Sequence, residues 1–445
     1  MLGRLLFVVG VLAASTTAGD AQLSPEESVP ACEATSGETL TALERRRQSL
    51  ERDVARKAVA RPTKSDGGSR TKEPEQDLRK SQEDLLEVLF QIDCLKTELE
   101  KQRSRKVPDN RRLVLKPTGV IEVTTYYATN RKQNATADPG KVYGAEVAST
   151  LQYGRAIVSI PPTHTPGKLE LPALWKLERD ADSSKHFVLK AVEPLNADTG
   201  RSEIAQKLQS MSSKALLVFV HGFKTGFPEA ALRTAQLAHD LKFPGMAFFY
   251  SWPSANQIRS YWLDEEVARL SEGVFEQLIE ELSQLPVTDI YVVAHSMGNR
   301  IVGHALQARV DKGKQTKNLK ELLLAAPDIN ADVFRTVIAP KLAAMQGTHT
   351  TVYASSSDIA LKASKVVHRF RRVGETTGGV LTYPGIETID ASNASRAIRG
   401  FGHFYVVDSP SVIGDIKSII ERQGPAKLRG LSQVGASPNT YWRFP

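Results

Sequence analysis

The sequence lacks the features that mark several large protein classes. Only two cysteines occur in 445 residues, which excludes a small scaffold held by disulfides. It has no Cys-x-x-Cys pair, no His-Glu-x-x-His motif and no glycine-rich phosphate loop, so we expect no metal and no cofactor. With 41% hydrophobic and 24% charged residues, the chain is neither disordered nor a protein of many membrane spans.

A basic stripe with interleaved aromatic residues, which would indicate nucleic-acid binding, is also absent. The net charge of +8 is spread along the chain instead. We therefore expect no nucleic-acid partner.

Residues 1–21 predict a signal peptide. The apolar run 5–14 follows a basic residue and is too short to span a bilayer comfortably, and small residues suit cleavage between Ala21 and Gln22. We expect a periplasmic or secreted protein. The alternative is a membrane-anchored protein that keeps this segment uncleaved.

Residues 22–115 are dense in charge and predict an α-helical hairpin or coiled coil. The two helices are expected over 37–61 and 74–106, separated by a segment rich in turn-forming residues. The second helix carries a heptad seam, formed by Leu78, Leu85, Val88, Ile92, Leu95 and Leu99.

Such a short hairpin buries little apolar area, so residues 37–106 are expected to form a homo-oligomer or bind a partner protein; a solvated spacer is the alternative. In an antiparallel hairpin Cys32 and Cys94 approach each other, and an oxidising compartment would permit a disulfide between them.

Residues 116–425 predict an α/β domain, and residues 426–445 a basic C-terminal tail. Short apolar runs such as Ala215–Val220 and Met246–Ser251 alternate with longer amphipathic stretches. This alternation is typical of a mostly parallel sheet covered by helices on both faces.

The segment Ala294-His295-Ser296-Met297-Gly298 resembles a G-x-S-x-G nucleophile elbow, with alanine at its first position. Small residues are needed because the strand turns sharply into a helix and exposes the serine. Ser296 is therefore the predicted nucleophile. The backbone N–H groups of Met297 and Phe223, which follows the strand Ala215–Val220, are the predicted oxyanion hole.

His403 is the predicted general base, because in this kind of site the histidine follows the nucleophile and the acid along the chain. His221 precedes the nucleophile and is expected to shape the loop. The basic run from His368 to Arg372 is expected to be a solvated face.

Two carboxylates compete for the acid position. Asp358 follows the predicted strand Thr350–Ala354, and Asp328 follows Leu322–Ala325. Asp358 is preferred by its strand position, and Asp328 remains the alternative. Trp252 and Tyr261 are expected either to line a substrate pocket or to pack in the core.

Several motifs, taken in order, resemble a bacterial family of alpha/beta hydrolases named only as a domain of unknown function. They are Ala128–Arg131, Tyr153–Arg155, Val218–Gly222, Ser251–Pro253, Ala294–Arg300 and Ala326–Asp328. The resemblance implies the α/β-hydrolase fold and a serine-hydrolase site on Ser296, an aspartate and His403. It implies no substrate.

The predicted function is esterase- or lipase-like hydrolysis, through an acyl-enzyme, of a small-molecule or lipid-like carboxylic ester. An amide or thioester hydrolase would use the same residues. A non-catalytic binding or assembly protein on a hydrolase scaffold is the remaining alternative.

Overall fold

The computed structural model describes residues 40–59, 73–104, 119–172, 181–368, 370–396, 404–422 and 424–445. The predicted signal peptide, Cys32 and His403 lie outside these residues. Nothing is described of the Cys94 side chain, so its pairing with Cys32 stays a prediction. Within the described ranges no helix is both long enough and apolar enough to cross a membrane.

Eleven strands in the described ranges form one sheet, in the order β10-β11-β9-β8-β7-β6-β4-β5-β1-β2-β3. The central strands from β5 to β9 are parallel, whereas β1 to β3 and the pair β10–β11 form antiparallel edges. The strands are β1 Ile121–Gln133, β2 Tyr143–Ile160, β3 Val188–Leu195, β4 Ala215–Val220, β5 Met246–Ser251, β6 Asp289–His295, β7 Leu319–Ala325, β8 His349–Ala354, β9 Glu387–Asp390, β10 Ser432–Val434 and β11 Tyr441–Arg443. The predicted mostly parallel sheet is confirmed.

Helices cover both faces of this sheet. They are α3 Ala197–Ser210, α4 Phe227–Asp240, α5 Tyr261–Gln284, α6 Gly298–Asp311, α7 Ala331–Val333, α8 Ala339–Ala343, α9 Ile359–His368, α10 Ser392–Arg396, α11 Tyr405–Asp408 and α12 Pro410–Ile420. In β4 every residue is buried, and alternate side chains enter two separate apolar cores, one with α5 and α6 and the other with α4 and α12. This is the pattern of a parallel strand covered on both sides.

The predicted helical hairpin is confirmed, with α1 at Leu40–Val59 and α2 at Glu73–Ser104. Its seam is antiparallel, because Leu43 packs with Val88 and Ile92 while Val54 packs with Leu78 and Leu85. A second face of α2 lies on the α/β domain, where Leu86 belongs to the main apolar core. The interpretation of this segment as a solvated spacer is therefore wrong.

Residues 426–445, which the sequence predicts to be a basic tail, instead contain the last two strands of the sheet. Strand β11 pairs with β9, and the buried guanidinium of Arg429 binds Glu387 and Asp415, 2.8 Å from the latter. These strands are too short and polar to show a periodic pattern, so composition alone could not reveal them.

We expect Arg429→Met to lower the free energy of unfolding by about 3–5 kcal/mol, because it leaves two carboxylates without their buried partner. Urea unfolding followed by circular dichroism measures this. Leu428→Ala, at a neighbouring side chain that is 71% exposed, is the control and should change little. Equal stability of both variants would show that the ion pairs contribute nothing.

Candidate active site

Ser296 lies at a sharp turn between β6 and α6. Its φ angle is 52°, a left-handed conformation that costs a non-glycine residue about 1–3 kcal/mol. Hydrogen bonds hold the turn: Ser296 N–H donates to Ala325 O at 2.9 Å, and Ser296 O accepts from Asp328 N at 3.2 Å and Asn299 Nδ2 at 2.9 Å. This is the backbone geometry expected of a nucleophile elbow.

Two glycines allow the elbow to sit against the end of β4. A Cβ atom on Gly222 would lie 2.7 Å from Ser296 Cβ, and one on Gly298 would lie 2.4 Å from His221 O. Both distances are shorter than atoms tolerate, so only glycine fits at either position. The loop after β4 therefore touches the serine directly.

The two predicted oxyanion donors flank this contact. Phe223 follows Gly222, and Met297 follows Ser296 at the N-terminus of the fourteen-residue helix α6. Neither backbone N–H donates to another residue that the structure describes. Together with the positive end of the helix dipole, such groups suit a developing negative charge.

His221 lies beneath the site as a structural residue. Its Nδ1 donates to Gly222 O at 2.9 Å, and its Nε2 accepts from Ser251 Oγ at 3.3 Å. Burial, helped by the positive charge of Arg131, lowers the pKa of His221 to about 3, so the ring is neutral. Its face stacks on Trp252, 5.1 Å between ring centroids, and Trp252 is completely buried there.

Arg131 on β1 was not singled out as a site residue from the sequence, yet it ties the loops around the site together. Its buried guanidinium donates to four oxygen atoms, at distances of 2.7–3.1 Å: Gly144 O, Thr225 O, Ser251 Oγ and Ser254 O. Because Thr225 lies two residues after Phe223, this network fixes the predicted oxyanion loop. The sequence feature that could have identified Arg131 is a basic residue directly after a run of buried strand residues.

Asp358 is completely buried just beyond the end of β8, where its Oδ1 accepts the backbone N–H of Leu361 at 2.9 Å and caps α9. It lies near Tyr405: burial, together with the charges of Asp358 and Asp390, raises the pKa of that phenol well above its usual value. Tyr405 donates in turn to Tyr353 O at 2.8 Å.

His403 is outside the described residues, but the two residues that follow it are not. Phe404 stacks on His295, the neighbour of Ser296, with ring centroids 4.5 Å apart. Tyr405 lies on the side of Asp358. The two residues after His403 thus lie close to the elbow and to the preferred acid, respectively.

Asp328 has different surroundings. Its carboxylate accepts hydrogen bonds from Tyr261 Oη at 2.6 Å and Ser364 Oγ at 2.7 Å, and it forms ion pairs with Arg300 and Arg372. Burial alone would raise the pKa of Asp328, but the two arginines hold it well below its usual value. This carboxylate is already fully used by its neighbours.

The expectation of a solvated face from His368 to Arg372 is wrong for both of these residues. His368 Nε2 lies 2.9 Å from Glu265 Oε1, and its ring packs against Trp262 at 5.0 Å. Arg372 is buried beside Asp328. A run of basic residues in the sequence does not reveal that acidic side chains from distant parts of the chain pair with them.

Tyr261 packs edge-on against Phe223, with ring centroids 5.0 Å apart, and so borders the predicted oxyanion loop. A cavity of about 500 Å³ lies at the opposite ends of the strands, beside Phe243 and Tyr291. Among the described residues no group of histidine, cysteine, aspartate and glutamate side chains has the arrangement of a metal site.

Several solved structures are similar to this chain at low identity. The esterase rPPE, solved as a doubly substituted variant, is 12% identical over 84% of this chain and 94% of its own, with a TM-score of 0.28. Carboxyl esterase 2 from the mycorrhizal fungus Tuber melanosporum is 11% identical over 73% and 96%, with a TM-score of 0.28. LAE6, an alpha/beta hydrolase from the metagenome of Lake Arreo, Spain, solved as a serine-to-alanine variant, is 11% identical over 84% and 97%, with a TM-score of 0.28.

Comparison with curated proteins gives no match. The family comparison does give one, and it covers half of the chain, from α3 through the elbow to the end of α12. Residues 196–422 match the alpha/beta hydrolases of unknown function (DUF900), and the chain belongs to this family.

Proposed function

We propose that this protein is a serine hydrolase that cleaves carboxylic esters of small molecules. The observation that carries the proposal is the left-handed backbone of Ser296 at the N-terminus of α6, in direct contact with the loop that presents Phe223. Strain of this kind persists only where the surrounding structure holds it, and it clusters at active sites.

The reaction has two halves. Ser296 Oγ attacks the ester carbonyl while His403 takes its proton, and the N–H groups of Phe223 and Met297 bind the oxyanion. The C–O bond then breaks, and His403 returns the proton to the departing alcohol. Water, deprotonated by His403, attacks the acyl-enzyme, and the carboxylic acid leaves as Ser296 regains its proton.

Asp358 is the proposed acid of the triad. Its task is to hold the histidine in the correct tautomer and to stabilise the imidazolium without taking the proton. The contact of Phe404 with His295 and the proximity of Tyr405 to Asp358 support this choice, and the two ion pairs of Asp328 argue against the alternative.

We expect a fluorophosphonate probe to label the wild-type protein, and Ser296→Ala to abolish both labelling and hydrolysis of p-nitrophenyl esters. Peptide mass spectrometry locates the adduct. Ser418→Ala on α12 is the control and should retain both properties. A folded wild-type protein that takes no label would favour the non-catalytic binding or assembly role, and cleavage of amides or thioesters in preference to esters would revise the substrate class.

The two aspartates are distinguished by opposite effects. Asp358→Asn should lower kcat about 10³–10⁴-fold with a small change in stability, because the histidine loses its orienting charge. Asp328→Asn should lower the free energy of unfolding by about 3–5 kcal/mol, because the buried Arg372 and the partly buried Arg300 lose this counter-charge, while folded protein keeps its activity. Steady-state kinetics beside urea unfolding measures both. The reverse pattern would assign the acid to Asp328.

We also propose that residues 1–21 direct export and are removed, which puts the enzyme in the periplasm or outside the cell, where Cys32 and Cys94 would form a disulfide. Protein exported from a bacterial host should begin at Gln22 by N-terminal sequencing. An intact N-terminus in the membrane fraction would instead show an uncleaved anchor.

Self-association through residues 37–106 is a further proposal. The molar mass of the exported protein in solution tests it, because a homo-oligomer has a multiple of the mass of one chain.

A further inference from the structure

Helix α2 contacts two loops that follow neighbouring strands of the sheet. After β5, Glu87 forms an ion pair with Arg259 at 2.8 Å, and Arg79 lies over the ring of Trp262 at 5.5 Å. After β4, the Lys224 ammonium lies 5.6 Å from the centre of the Phe90 ring. Lys224 is the residue next to Phe223, so its side chain connects Phe90 to the predicted oxyanion loop.

The same helix also packs against α9, which follows β8. In the sheet, β8 and β4 lie on opposite sides of the pair β7–β6, and Ser296 stands at the carboxyl end of β6. A helix in contact with the segments after β8, β5 and β4 spans the part of the edge that contains the serine. This agrees with the exposure of Ser296, which is only 4%.

The sequence of α2 is built for two partners. The seam with α1 uses Leu78, Leu85, Val88 and Ile92, whereas Arg79, Leu86 and Phe90 recur at intervals of seven and four on the face toward the α/β domain. Leu86, at 2% exposure, fastens this face to the main core. Phe90 lies one turn further along the helix and ends against Lys224.

We propose that α2 is a wall of the substrate site and that Phe90 determines its specificity by limiting the length of the acyl chain. This rests on the proposed ester hydrolysis. Phe90, Phe223 and Tyr261 supply aromatic surface at and around the predicted oxyanion loop, which suits an ester with a short, uncharged acyl group. Burial lowers the pKa of Lys224, whose Nζ lies over the Phe90 ring.

The test is a chain-length series of p-nitrophenyl esters, from acetate through butyrate to octanoate, with kcat and KM measured separately. Wild type should prefer the short esters. Phe90→Ala should raise kcat/KM for octanoate by about tenfold or more relative to acetate, because removing the ring lengthens the apolar pocket. Phe90→Leu should lie between the two.

Phe243→Ala is the matched control, since it removes the same ring at the opposite ends of the strands and should leave the chain-length preference unchanged. Fluorophosphonate labelling of Ser296 in each variant shows that the site remains assembled. If Phe90→Ala is labelled but changes all esters by the same factor, or none, the specificity role is overturned while ester hydrolysis stands. If wild type hydrolyses no ester and takes no label, both proposals fail together.

Discussion

The candidate site depends on one residue, Ser296, whose strained backbone conformation is imposed by its surroundings. Ser296 adopts a left-handed backbone because β6 must turn into α6 within two residues. Its N–H group is held by the last residue of β7, and its C=O group by partners after β7 and in α6. Glycines at positions 222 and 298 let the end of β4 approach to van der Waals contact. The strain is therefore maintained by packing on two sides, and the side chain is placed at the edge where the strand ends of the sheet converge.

Around this point the charged residues divide into structural and candidate catalytic groups. Arg131 and Arg372 are buried and Arg300 is partly buried. Oxygen atoms of neighbouring loops or acids bind all three, so they hold the loops in position. His221 is kept neutral by the same burial. Burial of an ion is tolerated only with close partners. Asp328 differs from Asp358 because its described partners include the two arginines Arg300 and Arg372.

The N-terminal hairpin covers part of the edge of the sheet at which Ser296 lies. Its second helix uses one face for α1 and another for the α/β domain, and the latter reaches the loops after β4 and β5. A segment that resembles a separate interaction module in composition is thus part of the same packed structure.

The sequence alone was enough to predict the alternation of strands and helices, the elbow at Ser296 and the pairing of the two N-terminal helices. These features are encoded locally, in periodicity and in the small residues that a tight turn requires. Only the tertiary structure decided that Asp328 is neutralised by Arg300 and Arg372, that His368 is half-buried, and that the last twenty residues complete the sheet. Those outcomes depend on which groups meet across the fold, and the energy of a buried charge or a short edge strand is set by neighbours that are distant along the chain.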